Sequence, residues 1–249
     1  MKERPILVLK TGEALPSVHA LHGDFEDWIA MGLGVSRDAI AVAAVYRGDA
    51  IPPEELIAGV VVTGSPAMVT ERPAWSEAAA EWLAKLVEQN RMPVLGLCYG
   101  HQLIAHGLGG EVGPNPMGRE MGTVEVCFSS MVEDLQDQDD RSGLGPLFEE
   151  GVFKGHMSHV ESVLRPPKGA RVLAQTALDP HSVLAFGPRQ WGVQFHPEFD
   201  RDIMRGYVEA RRDILTREGL DPDRMIAEVA EADSIGQVLK RFADVIERG

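Results

Sequence analysis

The residues of this chain that could do chemistry gather in two short stretches. The first is Val94-Leu95-Gly96-Leu97-Cys98-Tyr99-Gly100-His101-Gln102, in which a cysteine stands in the pattern Gly-x-Cys-x-Gly. The apolar run Pro93–Leu97 reads as a strand and Tyr99–Leu108 has helical patterning, so Cys98 falls on a strand-to-helix turn. This is the setting of a nucleophile elbow with Cys in place of Ser. Side chains two residues before and after the nucleophile would collide across so sharp a turn, which explains glycine at 96 and 100. Cys98 then heads a helix whose dipole favours the reactive thiolate. The backbone amide of Tyr99 points the same way and can donate to an oxyanion.

The second stretch is Trp191-Gly192-Val193-Gln194-Phe195-His196-Pro197-Glu198-Phe199. An apolar strand ends at His196. Glu198 lies two residues on, where an extended chain points both side chains the same way. Pro197 biases His196 toward that extended geometry. A carboxylate beside an imidazole fixes its tautomer and stabilises its protonated form, the third role in a nucleophile–base–orienter triad. Each stretch has an ordinary reading by itself: a buried structural cysteine, or a His and a Glu at a strand end. What joins them is placement. Both Cys98 and His196 stand at C-terminal ends of predicted strands, the edge where open α/β sheets build their sites.

The elements that must position them alternate. Apolar runs at Ile6–Leu9, Ala39–Tyr46, Val60–Thr63 and Pro93–Leu97 are separated by helical patterns around Ser17–Ala30 and Ala74–Asn90. That order predicts βαβ units in an α/β, three-layer fold with a mostly parallel twisted sheet. The second half reads as short strands at Thr123–Phe128, Val160–Leu164, Arg171–Gln175, Val183–Phe186 and Trp191–Phe195. Residues 133–150 are acidic and turn-rich and read as a surface excursion, with a lid or wall beside the site as the functional alternative. Two closing helices are expected. In the last, Ile235, Leu239, Phe242 and Ile246 share one face, which packs on the chain's own sheet or docks a partner. The chain thus divides into one domain over 1–200 and a helical extension over 201–249 packed on it.

Composition narrows the classes. The 249 residues carry 24 Lys and Arg against 38 Asp and Glu, a net charge of −14, which repels nucleic-acid phosphates. Two cysteines make no disulfide framework and fit a reducing compartment. No run approaches the ~18 apolar residues of a membrane span, so a cytoplasmic protein is expected. His101, His106, His156 and His159 match no strong metal-ligand spacing, and neither metal nor cofactor is expected.

Together the two motifs resemble the class I, or triad, glutamine amidotransferases. The likeness covers about residues 5–200, since both halves occur in order: Gly96-x-Cys98-x-Gly100-x-Gln102, then Gln194-Phe195-His196-Pro197-Glu198. Thr63-Gly64-Ser65-Pro66 and Gly155-His156-Met157-Ser158-His159 resemble most the glutaminase domain of GMP synthetase and its stand-alone relatives. The resemblance implies a flavodoxin-like fold and a Cys98–His196–Glu198 triad that hydrolyses the glutamine side-chain amide. It implies an oxyanion hole from Gly64 and Tyr99. It also implies substrate contacts from Ser65 and Gln102, and from Ser158 and His159, whose segment meets the α-amino and α-carboxyl ends through its backbone. Only about fifty residues follow Glu198, without a Gly-rich phosphate loop. Either a separate synthetase subunit is then the ammonia acceptor, or the hydrolase acts alone. Two other readings stay open: a γ-glutamyl peptidase using the same triad, and a non-catalytic module that senses glutamine or binds a partner.

Overall fold

The computed structural model describes residues 4–128 and 145–248. Its centre is a nine-stranded sheet in the order β2-β1-β3-β4-β11-β10-β9-β6-β7. The strands are β1 (Ile6–Lys10), β2 (Ile40–Ala44), β3 (Gly59–Val62), β4 (Val94–Leu97), β5 (Glu111–Pro114), β6 (Glu120–Phe128), β7 (Gly151–His159), β8 (Glu161–Arg165), β9 (Arg171–Gln175), β10 (Val183–Gly187) and β11 (Gln190–Val193). The first five positions, β2-β1-β3-β4-β11, pair in parallel. They follow the 2-1-3-4-5 order of flavodoxin-like sheets. From β11 outward, β10, β9, β6 and β7 continue the sheet antiparallel. Strands β1, β3 and β4 of the parallel half are buried along their whole length, as their apolar runs require.

Helices α1 (Pro16–His22), α2 (Phe25–Leu33), α3 (Ala74–Glu88), α4 (Tyr99–Gly107), α5 (Arg201–Ala210), α6 (Arg212–Arg217), α7 (Pro222–Glu228) and α8 (Asp233–Arg248) cover the two faces. One core lies under α2, α5 and α8 and includes Phe25, Trp28, Ile29, Leu239 and Phe242. The other lies under α3 and α4 and includes Leu83, Leu86, Leu103 and Ile104. The apolar face of α8 is therefore turned into the chain: Ile235, Leu239 and Phe242 are buried, and Gly32 of α2 is where Leu239 presses in.

The structure refines several expected elements. Ser17–Ala30 is two helices, because Gly23 (φ +83°) closes α1 and Asp24 caps α2. Four helices, not two, follow residue 200, broken at Arg211, at Gly219 and after Val229. A two-stranded sheet of β5 and β8 stands apart from the main one. Residues 133–144 of the acidic excursion lie outside the described residues. Among the described residues no helix is long and apolar enough to cross a membrane.

Candidate active site

Strand register brings the key residues together before any side chain is considered. Val62 pairs with Gly96, and Gly96 with Gly192, so the chain just beyond β3, β4 and β11 emerges side by side. Residues 64, 98 and 194 are thus neighbours at one sheet edge. The backbone is tied there as well: Cys98 N–H donates to Val193 O at 2.8 Å, and His196 N–H to His156 O at 2.9 Å.

At the turn Cys98 has φ +48° and ψ −99°, a conformation that costs an L-residue energy. The two glycines make it possible for different reasons. A Cβ on Gly96 would lie 2.5 Å from Gly100 C, 2.6 Å from Gly100 O and 2.7 Å from His101 N, all backbone. A Cβ on Gly100 would instead strike β3, 2.5 Å from Val62 O. The first glycine permits the turn; the second lets α4 sit on the sheet. The Tyr99 side chain plays no part in the site, since its hydroxyl pairs with Ser76 Oγ at 2.6 Å; its backbone N–H remains at the elbow.

His196 and Glu198 follow β11 and are buried, at 3% and 4% exposure. Glu198 Oε1 lies 2.7 Å from His196 Nδ1. With Nδ1 engaged, Nε2 is the ring nitrogen left to meet Cys98, which lines the same cavity. Burial alone would push the imidazole down. The Glu198 carboxylate first, then the Cys98 sulfur, overcome that and raise His196 to about 10. The ring is further held by aromatic packing. Phe199 stacks on it at a centroid distance of 4.1 Å, and Phe25 lies nearly parallel to both rings, 6.5 Å from His196 and 6.4 Å from Phe199.

Phe25 owes its position to charge. Lys10, buried at the end of β1, pairs with Asp24 at 2.7 Å and with Glu26 at 2.7 Å. Asp24 also accepts from Ala14 N–H and Phe25 N–H, so one carboxylate caps α2 and anchors the loop before it.

Cys98 and His196 line one small cavity of about 20 Å³, together with Ser65, Ser158, Phe25 and Arg211. That is about the room one water needs. Of the residues implied by resemblance, Ser65 and Ser158 reach it. Ser65 Oγ donates to Thr11 O at 2.8 Å and stiffens its turn. Gly64 stands opposite: a Cβ there would lie 3.0 Å from His196 Cε1. Gln102 and His159 do not line the cavity. The Gln102 amide donates to Glu161 O at 2.7 Å and to Gln194 Oε1 at 2.9 Å, and Gln194 Nε2 donates to Cys98 Sγ at 3.4 Å. Gln102 thereby supports the sulfur at one remove. The His159 ring is buried against Glu120 Oε2 at 3.1 Å and Glu161 O at 2.9 Å, leaving only its backbone for a ligand.

Four participants were not singled out from sequence: Gln194, Phe199, Tyr207 and Arg211. Gln194 and Phe199 flank the His-Pro-Glu motif, and that proximity was a usable signal. Tyr207 and Arg211 come from the far end of α5 and left none. Among the described residues no cluster of three His, Cys, Asp or Glu could hold a metal.

The sheet order is that of a flavodoxin-like open α/β fold, and the comparisons give the family. The family model for the class-I glutamine amidotransferase matches residues 35–208, so the chain belongs to that family. It is 42% identical over 185 residues to a glutamine-hydrolyzing GMP synthase of Aeropyrum pernix, covering 71% of this chain and 31% of that one. A second, from Chromobacterium violaceum, is 35% identical over 194 residues, covering 75% and 34%. The aligned region thus spans about a third of the length of these curated relatives. Among solved structures, a glutamine amidotransferase from Thermotoga maritima superposes with a TM-score of 0.73 at 17% identity, covering 99% of this chain and 100% of that one. One from Methylobacillus flagellatus gives 0.69 at 20% identity, covering 98% and 93%. These two share the fold.

Proposed function

We propose that this chain hydrolyses the side-chain amide of glutamine through a covalent intermediate on Cys98. The Cys98 thiolate attacks the δ-carboxamide carbon, and the carbonyl oxygen takes the negative charge. Backbone N–H groups at Gly64 and Tyr99 receive that oxyanion; such a donor is typically worth about 10²–10³ in rate. Protonated His196 passes its proton to the departing nitrogen, which leaves as ammonia. A glutamyl thioester remains. His196, now neutral, takes a proton from water as the water attacks, and glutamate leaves as the sulfur regains its charge. Glu198 holds the imidazole in register and compensates its charge. Ser65 and Ser158 contact the substrate, while Gln102 acts through Gln194. No metal or organic cofactor enters any step.

The observation that carries this reading is the buried Cys98–His196–Glu198 arrangement, with Glu198 Oε1 at 2.7 Å from His196 Nδ1 and Cys98 lining one cavity with the ring. By likeness to the GMP synthases, the ammonia goes to a partner synthetase.

The test is glutamate release from glutamine and from γ-glutamyl dipeptides, with the native chain and with Cys98→Ala. Turnover of glutamine alone, abolished in the variant, is expected. Preference for dipeptides would make the chain a γ-glutamyl peptidase. Undiminished turnover by Cys98→Ala would remove the mechanism.

A further inference from the structure

The turn that carries Gly64 is gripped by two buried hydroxyls. Strands β1 and β3 pair in parallel with Leu9 opposite Val62, so Thr11 and Thr63 emerge together at the strand ends. They are 1% and 0% exposed. Thr11 N–H donates to Thr63 Oγ1 at 3.0 Å. Thr63 Oγ1 lies 2.8 Å from Gly64 O, and Thr11 Oγ1 lies 3.0 Å from both Thr63 O and Gly64 O. Each hydroxyl has one proton to give. Thr63, which accepts the Thr11 N–H, gives its proton to Gly64 O. Thr11 shares its own between Thr63 O and Gly64 O. Both carbonyls beside Gly64 are thereby held toward the hydroxyls.

Fixing the carbonyls fixes the N–H groups. A trans peptide points its N–H opposite to its C=O. The peptide of Thr63 O carries the Gly64 N–H, so holding that carbonyl toward Thr11 turns the Gly64 N–H away from it. Among the described residues this N–H donates to no backbone carbonyl. Gly64 itself borders the triad, since a Cβ there would lie 3.0 Å from His196 Cε1. The neighbouring ties are independent of the Thr11 hydroxyl. Thr63 N–H donates to Leu9 O at 3.1 Å, Ser65 Oγ donates to Thr11 O at 2.8 Å, and Val69 N–H donates to Glu161 Oε2 at 3.0 Å. Loss of the hydroxyl therefore leaves β3 and the far end of the loop in place and releases only the peptides beside Gly64.

We propose that Thr11 is a positioning residue for amide hydrolysis: with Thr63 it locks the two peptides beside Gly64, so that the Gly64 N–H stays aimed at the oxyanion as it forms. This rests on the reading that Cys98 attacks a side-chain amide and that Gly64 receives the oxyanion. A donor already in place stabilises developing charge without the cost of turning toward it. Thr11 does not line the cavity and lies in neither of the motifs that carry the triad. Its part is played through the Gly64 backbone alone.

Thr11→Val fills the same space without the hydroxyl, and Thr11→Ser keeps the hydroxyl. In Thr11→Val, kcat for glutamine is expected to fall about 10- to 100-fold with KM little changed, less than the roughly 10²–10³ that outright loss of an oxyanion donor costs. Thr11→Ser is expected to regain most of it. Alkylation of Cys98 by iodoacetamide forms no oxyanion, so its rate stays native in both variants. An aldehyde analogue of glutamine adds to the Cys98 sulfur as a thiohemiacetal, its oxygen standing in for the oxyanion, and needs no turnover. Its affinity is expected to fall by the same factor as kcat. Native kcat in Thr11→Val, or an equal fall in Thr11→Ser, overturns the lock and keeps the hydrolase. A fall matched by slower alkylation marks a site disturbed as a whole and also overturns the lock. If the native chain releases no glutamate, the hydrolase reading falls and the aldehyde decides alone: weaker binding in Thr11→Val than in Thr11→Ser keeps the lock, while equal binding or none overturns it. Should Thr11→Val not fold, Thr63→Val removes the second hydroxyl from the same carbonyl and is held to the same outcomes against Thr63→Ser.

Discussion

Replacing Glu198 by Gln keeps the shape of the side chain and removes its charge. The carboxylate is fully buried, and its Oε1 sits 2.7 Å from His196 Nδ1. It is the largest of the influences that raise His196, acting against burial. Breaking a buried charged pair costs about 3–5 kcal/mol, and here much of that falls on the state in which His196 is protonated. At ~1.4 kcal/mol per tenfold, kcat/KM should drop by about 10²- to 10³-fold. The pH profile gives a second, independent readout. His196 must be protonated to release ammonia, so the native alkaline limb falls as pH rises through its raised pKa of about 10. Without the carboxylate the desolvation remains unopposed by Glu198, and His196 ionises at lower pH. The alkaline limb of kcat/KM should therefore move to lower pH. The assay is glutaminase activity from pH 5 to 11 with both chains. A Glu198→Gln chain with native activity and an unmoved alkaline limb would refute the assignment of Glu198 as orienter.

Three further outcomes follow from packing and charge. Gly96→Ala places a Cβ 2.5 Å from the backbone of Gly100, and no flexible side chain is there to yield; the urea midpoint should fall sharply and activity vanish. Lys10→Met leaves Asp24 buried without its cation. The expected loss is about 3–5 kcal/mol of stability, with an added loss of activity because Phe25 follows directly on the Asp24 cap. His196 also links stability to pH: its folded pKa lies above its unfolded value near 6.5. Its contribution is thus complete below about pH 6.5 and is lost as pH climbs toward 10. Urea midpoints measured across that range should decline, and less so in Glu198→Gln.

Much of the site was legible because its requirements are local. The elbow needs a glycine at 96 whatever the rest of the chain does, and His196 and Glu198 are only two residues apart, although they meet across a turn at Pro197-Glu198 and not along the extended chain expected. The parallel half of the sheet was legible for the same reason: doubly buried strands must be unbroken apolar runs. What escaped depends on distant pairing. β5 is short, Glu111–Pro114 has no apolar alternation, and it makes sense only against β8. The breaks among α5 to α8 hang on single residues such as Arg211 and Gly219 in otherwise helical sequence. Gln102 and His159 matched a motif, but which way a side chain turns is set by neighbours such as Glu161 and Glu120, remote in the chain. Arg211 gave no signal at all, since an arginine between helices is ordinary until its surroundings are known.

The central claim is that the sulfur of Cys98 forms a bond to the side-chain carbonyl carbon of glutamine. It is tested most directly by reacting the chain with a glutamine analogue that carries a diazoketone in place of the amide, followed by intact-mass measurement and peptide mapping. One adduct per chain on Cys98, formed in step with loss of glutaminase activity and slowed by free glutamine, is the result expected. Labelling of Cys127 instead, or full activity in a chain labelled at Cys98, would contradict it.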